Sequence, residues 1–269
     1  MMQRLDMRHF KAFSELLYEQ AGLAISPQKI NVLQAKLNKV MNRKQIGSYD
    51  ELLRRISEPG NELDFQDLID IVTVHTTEFF REKEHFEYLR NNMSQLIHSN
   101  PRIAQQREIR IWTAASSTGQ EPVTIAMVLS DCMPDGISVK VLATDISKAS
   151  LMTAQMGVYS REQCEDIPKY YRIKYLEPLN DGYRVKDEIK SLISYRLFNL
   201  MNEFPFKKGF DIIFCRNVMI YFDMPVQQQL IDKMSDHLIP GGLLFVGHSE
   251  SLSNKKHNLS FVGPSIYMK

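Results

Sequence analysis

Between residues 109 and 246, short apolar runs alternate with amphipathic segments. IRIWTAA (109–115), ISVKVLATD (137–145), FDIIFC (210–215) and LLFVG after Pro240-Gly241-Gly242 read as buried strands. Gln120–Asp131, a short segment capped by Ser147 and running to about Met156, and Pro225–Leu238 read as helices. Parallel strands need crossover connections, and helices are the usual crossovers. The chain is therefore expected to be an α/β protein with a doubly wound, mostly parallel sheet and helices on both faces. FEYLRNNMSQLIHS would lead into this sheet as a helix, and SIYMK would close it as a last strand.

The first 72 residues carry a different period. Phe10, Phe13 and Leu17 recur at helical spacing, and Gly22 can end that helix. Ser26-Pro27 reads as an N-cap with proline at the first helical position, followed by Ile30, Leu33, Leu37, Val40 and Met41 on one face. Ser48 and Glu51 form a capping box, Glu58-Pro59-Gly60 stops the helix behind it, and Phe65, Leu68, Ile69 and Val72 mark a fourth helix. A length of 269 residues suits two domains. The expected division is a helical domain at 1–72, a linker at 73–84 and the sheet domain at 85–269. Residues 160–197 interrupt the alternation. There the turn Asn180-Asp181-Gly182 separates two β-prone runs, so a small antiparallel insertion is expected.

Composition excludes several functions. With 33 basic and 32 acidic residues, the chain is not built to bind a polyanion by bulk charge. Cys132, Cys164 and Cys215 are too scattered for a disulfide framework or a cysteine zinc site, and no metal site is expected. No run approaches the length of a membrane span, and MMQRLDMRHFKAF is charged and lacks the apolar core of a secretory signal. A cytoplasmic protein, without nucleic acid or membrane insertion and with monomer as the default, is expected.

Ligands of doubly wound sheets bind at the carboxyl ends of the strands. The first strand ends in Ala115-Ser116-Ser117-Thr118-Gly119-Gln120-Glu121-Pro122, whose small residues permit close approach before a helix opens. This is neither the three-glycine dinucleotide fingerprint nor a phosphate loop with its lysine. The second strand ends in Asp145, placed to accept ribose hydroxyls or to cap the next helix. A nucleoside without phosphates fits these two ends better than ATP does. The third strand ends in Arg216-Asn217 and runs on to Tyr221, and His75-Thr76-Thr77-Glu78-Phe79-Phe80-Arg81 lies where the two domains must meet.

TTEFFRE (76–82), WTAASSTGQEP (112–122), LATDIS (142–147), FNL (198–200), CRNVMIYFD (215–223) and GHSES (247–251) together resemble the CheR-type chemoreceptor glutamate methyltransferases, over nearly the whole chain. The resemblance implies a class I, Rossmann-like fold that binds S-adenosylmethionine and releases S-adenosylhomocysteine. It adds an N-terminal receptor-docking helical domain and an inserted β-subdomain. It implies that His75, Thr77, Arg81, Glu121, Asp145, Asn199, Leu200, Arg216 and Asn217 contact the cofactor, Glu121 through the methionyl amino group. It places Arg81 and Tyr221 nearest the reacting methyl. Three positions depart from the family pattern: His75 where Asn is common, Ser116 for a cysteine, and Gln120 for a glutamate.

The implied substrate is a glutamate side chain on a methyl-accepting chemotaxis receptor. Residues 26–49 contain Lys29, Lys36, Lys39, Arg43 and Lys44 and no acid. In a nearly neutral chain this excess is read as a stripe that docks the acidic receptor helix, against the plainer alternative of a solvated face. Through the insertion, the resemblance also allows a tether on a C-terminal receptor peptide. The competing functions are a docking module that senses S-adenosylmethionine without catalysis, and a methyltransferase of another substrate.

Overall fold

The computed structural model describes residues 4–58, 62–73 and 76–269. Four helices form the N-terminal part: α1 (Met7–Ala21), α2 (Ile30–Lys44), α3 (Tyr49–Ser57) and α4 (Glu62–Val72). The side chain of Asp6 caps α1 by accepting the His9 N–H at 2.8 Å. Gly22 ends it at φ +69°, with its N–H on the Leu17 and Tyr18 carbonyls. A Cβ at Gly22 would collide with Met201 Sδ, so this turn is pressed against the second domain as well as left-handed. Pro27 does not begin α2. Pro27–Lys29 forms a separate 3₁₀ turn, in which Ser26 contributes its carbonyl and not its hydroxyl. Ser48 Oγ caps α3 by accepting the Glu51 N–H, but Glu51 reaches back to Gly47 N, one residue beyond the expected partner. Phe13, Leu17, Leu37, Tyr49, Leu52, Leu68 and Ile69 close the core of this bundle. Pro59 and Gly60 lie outside the described residues.

The second part begins with α5 (Lys83–Ser99) and α6 (Pro101–Gln106), then alternates: β1 (Glu108–Ala114), α7 (Gln120–Cys132), β2 (Ser138–Asp145), α8 (Lys148–Met156). Next come β3 (Val158–Ser160), α9 (Lys169–Tyr175), β4 (Leu176–Leu179), β5 (Gly182–Val185), α10 (Asp187–Lys190) and β6 (Ile193–Leu197). The chain finishes with β7 (Phe210–Cys215), α11 (Met224–His237), β8 (Leu238–Val246), β9 (Ser260–Gly263) and β10 (Ile266–Met268). Seven strands make one sheet in the order β6-β2-β1-β7-β8-β10-β9. The first five are parallel, β10 runs antiparallel to β8, and β9 runs antiparallel to β10. Successive residues of a strand serve opposite faces. Ile111 and Phe214 pack on one side with α5 and α7, while Trp112 and Ile213 pack on the other with α11. The expected α/β architecture is thus present. Among the described residues no helix is long and apolar enough to cross a membrane.

The insertion differs from its expected extent. The Asn180-Asp181 turn does join a hairpin, with Leu179 opposite Gly182, and β3 completes a three-stranded antiparallel sheet. Ile193–Leu197, grouped with the insertion on sequence, instead extends the main sheet as β6, parallel to β2 with Ile193 opposite Val141. The pattern ISYRL suits a strand in either sheet, and only the available partner decides. β9, absent from the sequence reading, is the hairpin partner of β10.

Candidate active site

The strand order reverses between β1 and β7, and a crevice opens beyond their carboxyl ends, as this topology dictates. The helical bundle covers it, leaving a cleft of about 330 Å³. Thr77, Arg81, Glu121, Asp145, Asn199, Leu200, Arg216, Asn217 and Tyr221 all line this one cleft, although they come from five separate stretches of chain. His75 lies outside the described residues.

Each acidic residue is set by its own strand end. Asp145, the last residue of β2, is buried; its Oδ2 accepts Ser117 N and its Oδ1 accepts Ser147 N, both at 2.8 Å. It therefore holds the β1 turn in place, where Ala115 and Ser117 both have positive φ. Capping of α8 falls to Ser147, whose Oγ accepts Ser150 N. Glu121, in the first turn of α7, accepts Thr113 Oγ1 and Arg216 Nη1, each at 2.8 Å. Burial pushes its carboxyl above the usual range, against the pull of Arg216.

Arg216 is the centre of the sheet side. Its side chain is buried and donates to Glu121, twice to Glu82 Oε2, and to the Arg81 carbonyl, with its guanidinium 5.5 Å from the centre of the Phe86 ring. Burial raises the Glu82 carboxyl, but Arg216 overrides it and the net shift is downward. These bonds commit Arg216 to two carboxylates and to the backbone of Arg81. Its expected cofactor role is thus joined by a structural one. Asn217 has φ +57°, donates its N–H to Glu250 Oε2 at 2.7 Å and its Nδ2 to Glu82 Oε1 at 3.2 Å. Asn199 ties the two domains, donating Nδ2 to Gln20 O. Tyr221 is held the same way, its carbonyl accepting Ala24 N at 3.1 Å. Arg81 is only partly buried, and its guanidinium donates to Thr76 O at 3.1 Å.

The basic stripe of α2 divides. Lys29 and Lys36 line the cleft, beside Val32, Val72 and Thr73. Lys36 Nζ donates to Val72 O, and burial, followed by the charge of Lys39, lowers its pKa. Lys39 is exposed away from the cleft, and Arg43 and Lys44 pair with Asp67 of α4.

Sequence reasoning gave no role to Glu82, His85 or Glu250, although Glu82 and Glu250 stand within quoted motifs. Their neighbours in sequence announce nothing, because their partners are distant. His85 is fully buried; its Nε2 approaches Pro264 O at 3.2 Å and its Nδ1 lies 3.5 Å from Glu82 Oε2. Glu82, His85 and His248 bring three donor atoms within 4.8 Å of one another, a spacing suited to an ion. The Arg216 guanidinium already takes the cation's place on the Glu82 oxygen.

Comparison with known proteins accords with this geometry. The family model described as "CheR methyltransferase, SAM binding domain" matches residues 75–268, and "CheR methyltransferase, all-alpha domain" matches residues 8–73. A chemotaxis protein methyltransferase of Borreliella burgdorferi is 36% identical over 260 residues, covering 95% of this chain and 92% of the relative. A probable one of Rhizobium etli is 34% identical over 263 residues, covering 94% and 96%. A chemotaxis protein methyltransferase of Escherichia coli is 31% identical over 275 residues, covering 99% and 93%.

Proposed function

Since the chain belongs to the CheR methyltransferase family, we propose that it esterifies glutamate side chains of chemotaxis receptors. The enzyme is an S-adenosylmethionine-dependent methyltransferase of chemotaxis. The observation that carries the finer reading is the single cleft: acids suited to a cationic nucleoside on its sheet side, lysines suited to an acidic partner on its helix side.

The residues fit the cofactor. Asp145 brings a carboxylate to the cleft at the end of β2, where ribose hydroxyls would lie, Glu121 offers an anion at the start of α7, and Phe198, Leu200 and Val218 give apolar wall for a base. Bound there, S-adenosylmethionine supplies an electrophilic methyl on a sulfonium. A glutamate of pKa about 4.3 is already ionised at neutral pH, so no general base is required. The chain's task reduces to alignment in the cleft. Arg81 pairs with the incoming carboxylate and offsets its desolvation, while Tyr221 donates a hydrogen bond that keeps one oxygen pointed at the methyl. A weaker hold is better than a tight one here, since uniform binding of the carboxylate would stabilise the ground state.

The helix side supplies the partner's charge complement. Lys29 and Lys36 at the cleft, with Lys39 and Arg43 farther along α2, attract an acidic receptor helix. The edge strands of the β3-β5-β4 sheet offer backbone to a C-terminal receptor peptide, which would raise the local substrate concentration.

The test is transfer of radiolabelled methyl from S-adenosylmethionine to receptor-containing membranes of the same organism. Label released by base identifies a carboxyl ester on the receptor band. Cofactor binding without label on a methylatable receptor would leave a sensing module, and base-stable label would mean another acceptor.

A further inference from the structure

Glu250 is a buried carboxylate, 5% exposed, that forms no ion pair among the described residues. Such a group ordinarily pairs with a cation or gives up its charge. Glu250 has backbone N–H groups instead. Oε2 accepts Asn217 N at 2.7 Å and Gly247 N at 2.8 Å, and Oε1 accepts Ile220 N at 3.2 Å. Burial raises its pKa, and these N–H groups pull it back.

Two features mark the grip as specific. Asn217 sits at φ +57°, a left-handed conformation that asparagine adopts more readily than most non-glycine residues. Gly247 has no room for a side chain: a Cβ there would lie 2.7 Å from both Asn217 Nδ2 and Glu250 Oε2. The two N–H groups held from positions 217 and 220 bracket the turn after β7, and Tyr221 is the next residue. From the other domain, a backbone hydrogen bond reaches that turn from Ala24 N to the Tyr221 carbonyl.

We propose that Glu250 is a positioning residue for methyl transfer, its carboxylate fixing the Asn217–Ile220 turn that presents Tyr221 to the cleft. This rests on the function proposed above. A carboxylate is needed because both oxygens must accept. An amide accepts through one oxygen and turns a donor towards a backbone N–H on the other side.

The experiment compares wild type, Glu250→Gln and Glu250→Asp, each with and without Tyr221→Phe. The readouts are receptor-methylation kinetics, S-adenosylhomocysteine affinity by calorimetry, and melting midpoint. Glu250→Gln is expected to lower kcat at least tenfold, with cofactor affinity within threefold of wild type. Tyr221→Phe should then cost much less in the Glu250→Gln background than alone, because the hydroxyl is already misplaced. Should Glu250→Gln not fold, Glu250→Asp decides: it keeps the charge but not the reach, and should show the same kcat loss. Wild-type kcat in a folded variant overturns the proposal. So do additive losses, or an equal fall of kcat, affinity and melting midpoint. A wild-type enzyme that labels no receptor would instead defeat the proposed function, so the two failures are distinct.

Discussion

On the sheet side of the cleft, Asp145, Glu121, Arg216 and Asn217 each hold two or more partners within the protein. On the helix side, Lys29 is exposed and Lys36 keeps one bond, to a backbone carbonyl. On the proposed function, the contrast follows from the ligands that each side would serve. A small cofactor gains affinity from donors and acceptors already in place, because little ordering is left to do on binding. A receptor helix is large and acidic, and long flexible side chains can follow it without a fixed geometry. Long-range attraction matters more there than register.

The largest test of this contrast is Arg216→Ala. It leaves Glu82 and Glu121 as buried carboxylates with no cation, and should lower stability by about 3–5 kcal/mol in urea denaturation at pH 7. Arg216→Lys should recover only part, since an ammonium cannot fork between two carboxylates. A loss under about 1 kcal/mol for the alanine variant would mean that the sheet side is not rigid in the sense argued here.

Arg81 stands between the two sides. Its guanidinium is partly exposed and has one carbonyl partner, so Arg81→Ala should leave the melting midpoint unchanged while reducing turnover about a hundredfold. Normal turnover would remove Arg81 from the reaction.

His85 sharpens the comparison through pH. Burial first, and the Arg216 charge second, push its imidazole down to about 4, against about 6.5 for an unfolded chain. Between those values the unfolded state holds a proton that the native state does not. Its contribution is therefore complete above pH 6.5 and is lost as pH falls towards 4. Stability should drop by about 2 kcal/mol between pH 7 and pH 5 on this account. In His85→Gln that part of the slope should vanish; an unchanged slope would assign the acid sensitivity to other groups.

The smallest effects belong to the helix side. Lys29→Glu and Lys36→Glu should each raise the receptor KM about two- to fivefold and flatten its salt dependence, with cofactor affinity unchanged. Arg43→Glu should do less, because Arg43 already pairs with Asp67. Equal effects at all three basic positions would favour a diffuse electrostatic surface over two lysines at the cleft.

Much of this was legible before the fold. Strand-length apolar runs and helical spacing are properties of consecutive residues, so the parallel sheet and the four N-terminal helices could be read directly. The caps at Gly22, Ser48 and Ser147 are local chemistry and occur where expected. Pro27 misled because its fixed φ suits a 3₁₀ turn as well as an α-helix. The residues lining the cleft were named through a resemblance of motifs, and nine of them converge on it. Their bonding was not legible: nothing in FFRE announces that Glu82 will hold an arginine 134 residues away.

The sequence alone thus determined periodicity, turns and the acids at strand ends, because each is encoded within a few neighbouring residues. Tertiary structure decided what those signals leave open. It gave β6 to the main sheet, joined Asn199 to Gln20 across the domains, and surrounded Glu250 with N–H groups from two loops. The physical reason is common to all three. A strand edge, a buried amide and a buried carboxylate must each find partners, and which partners lie within reach is fixed only when distant segments have packed.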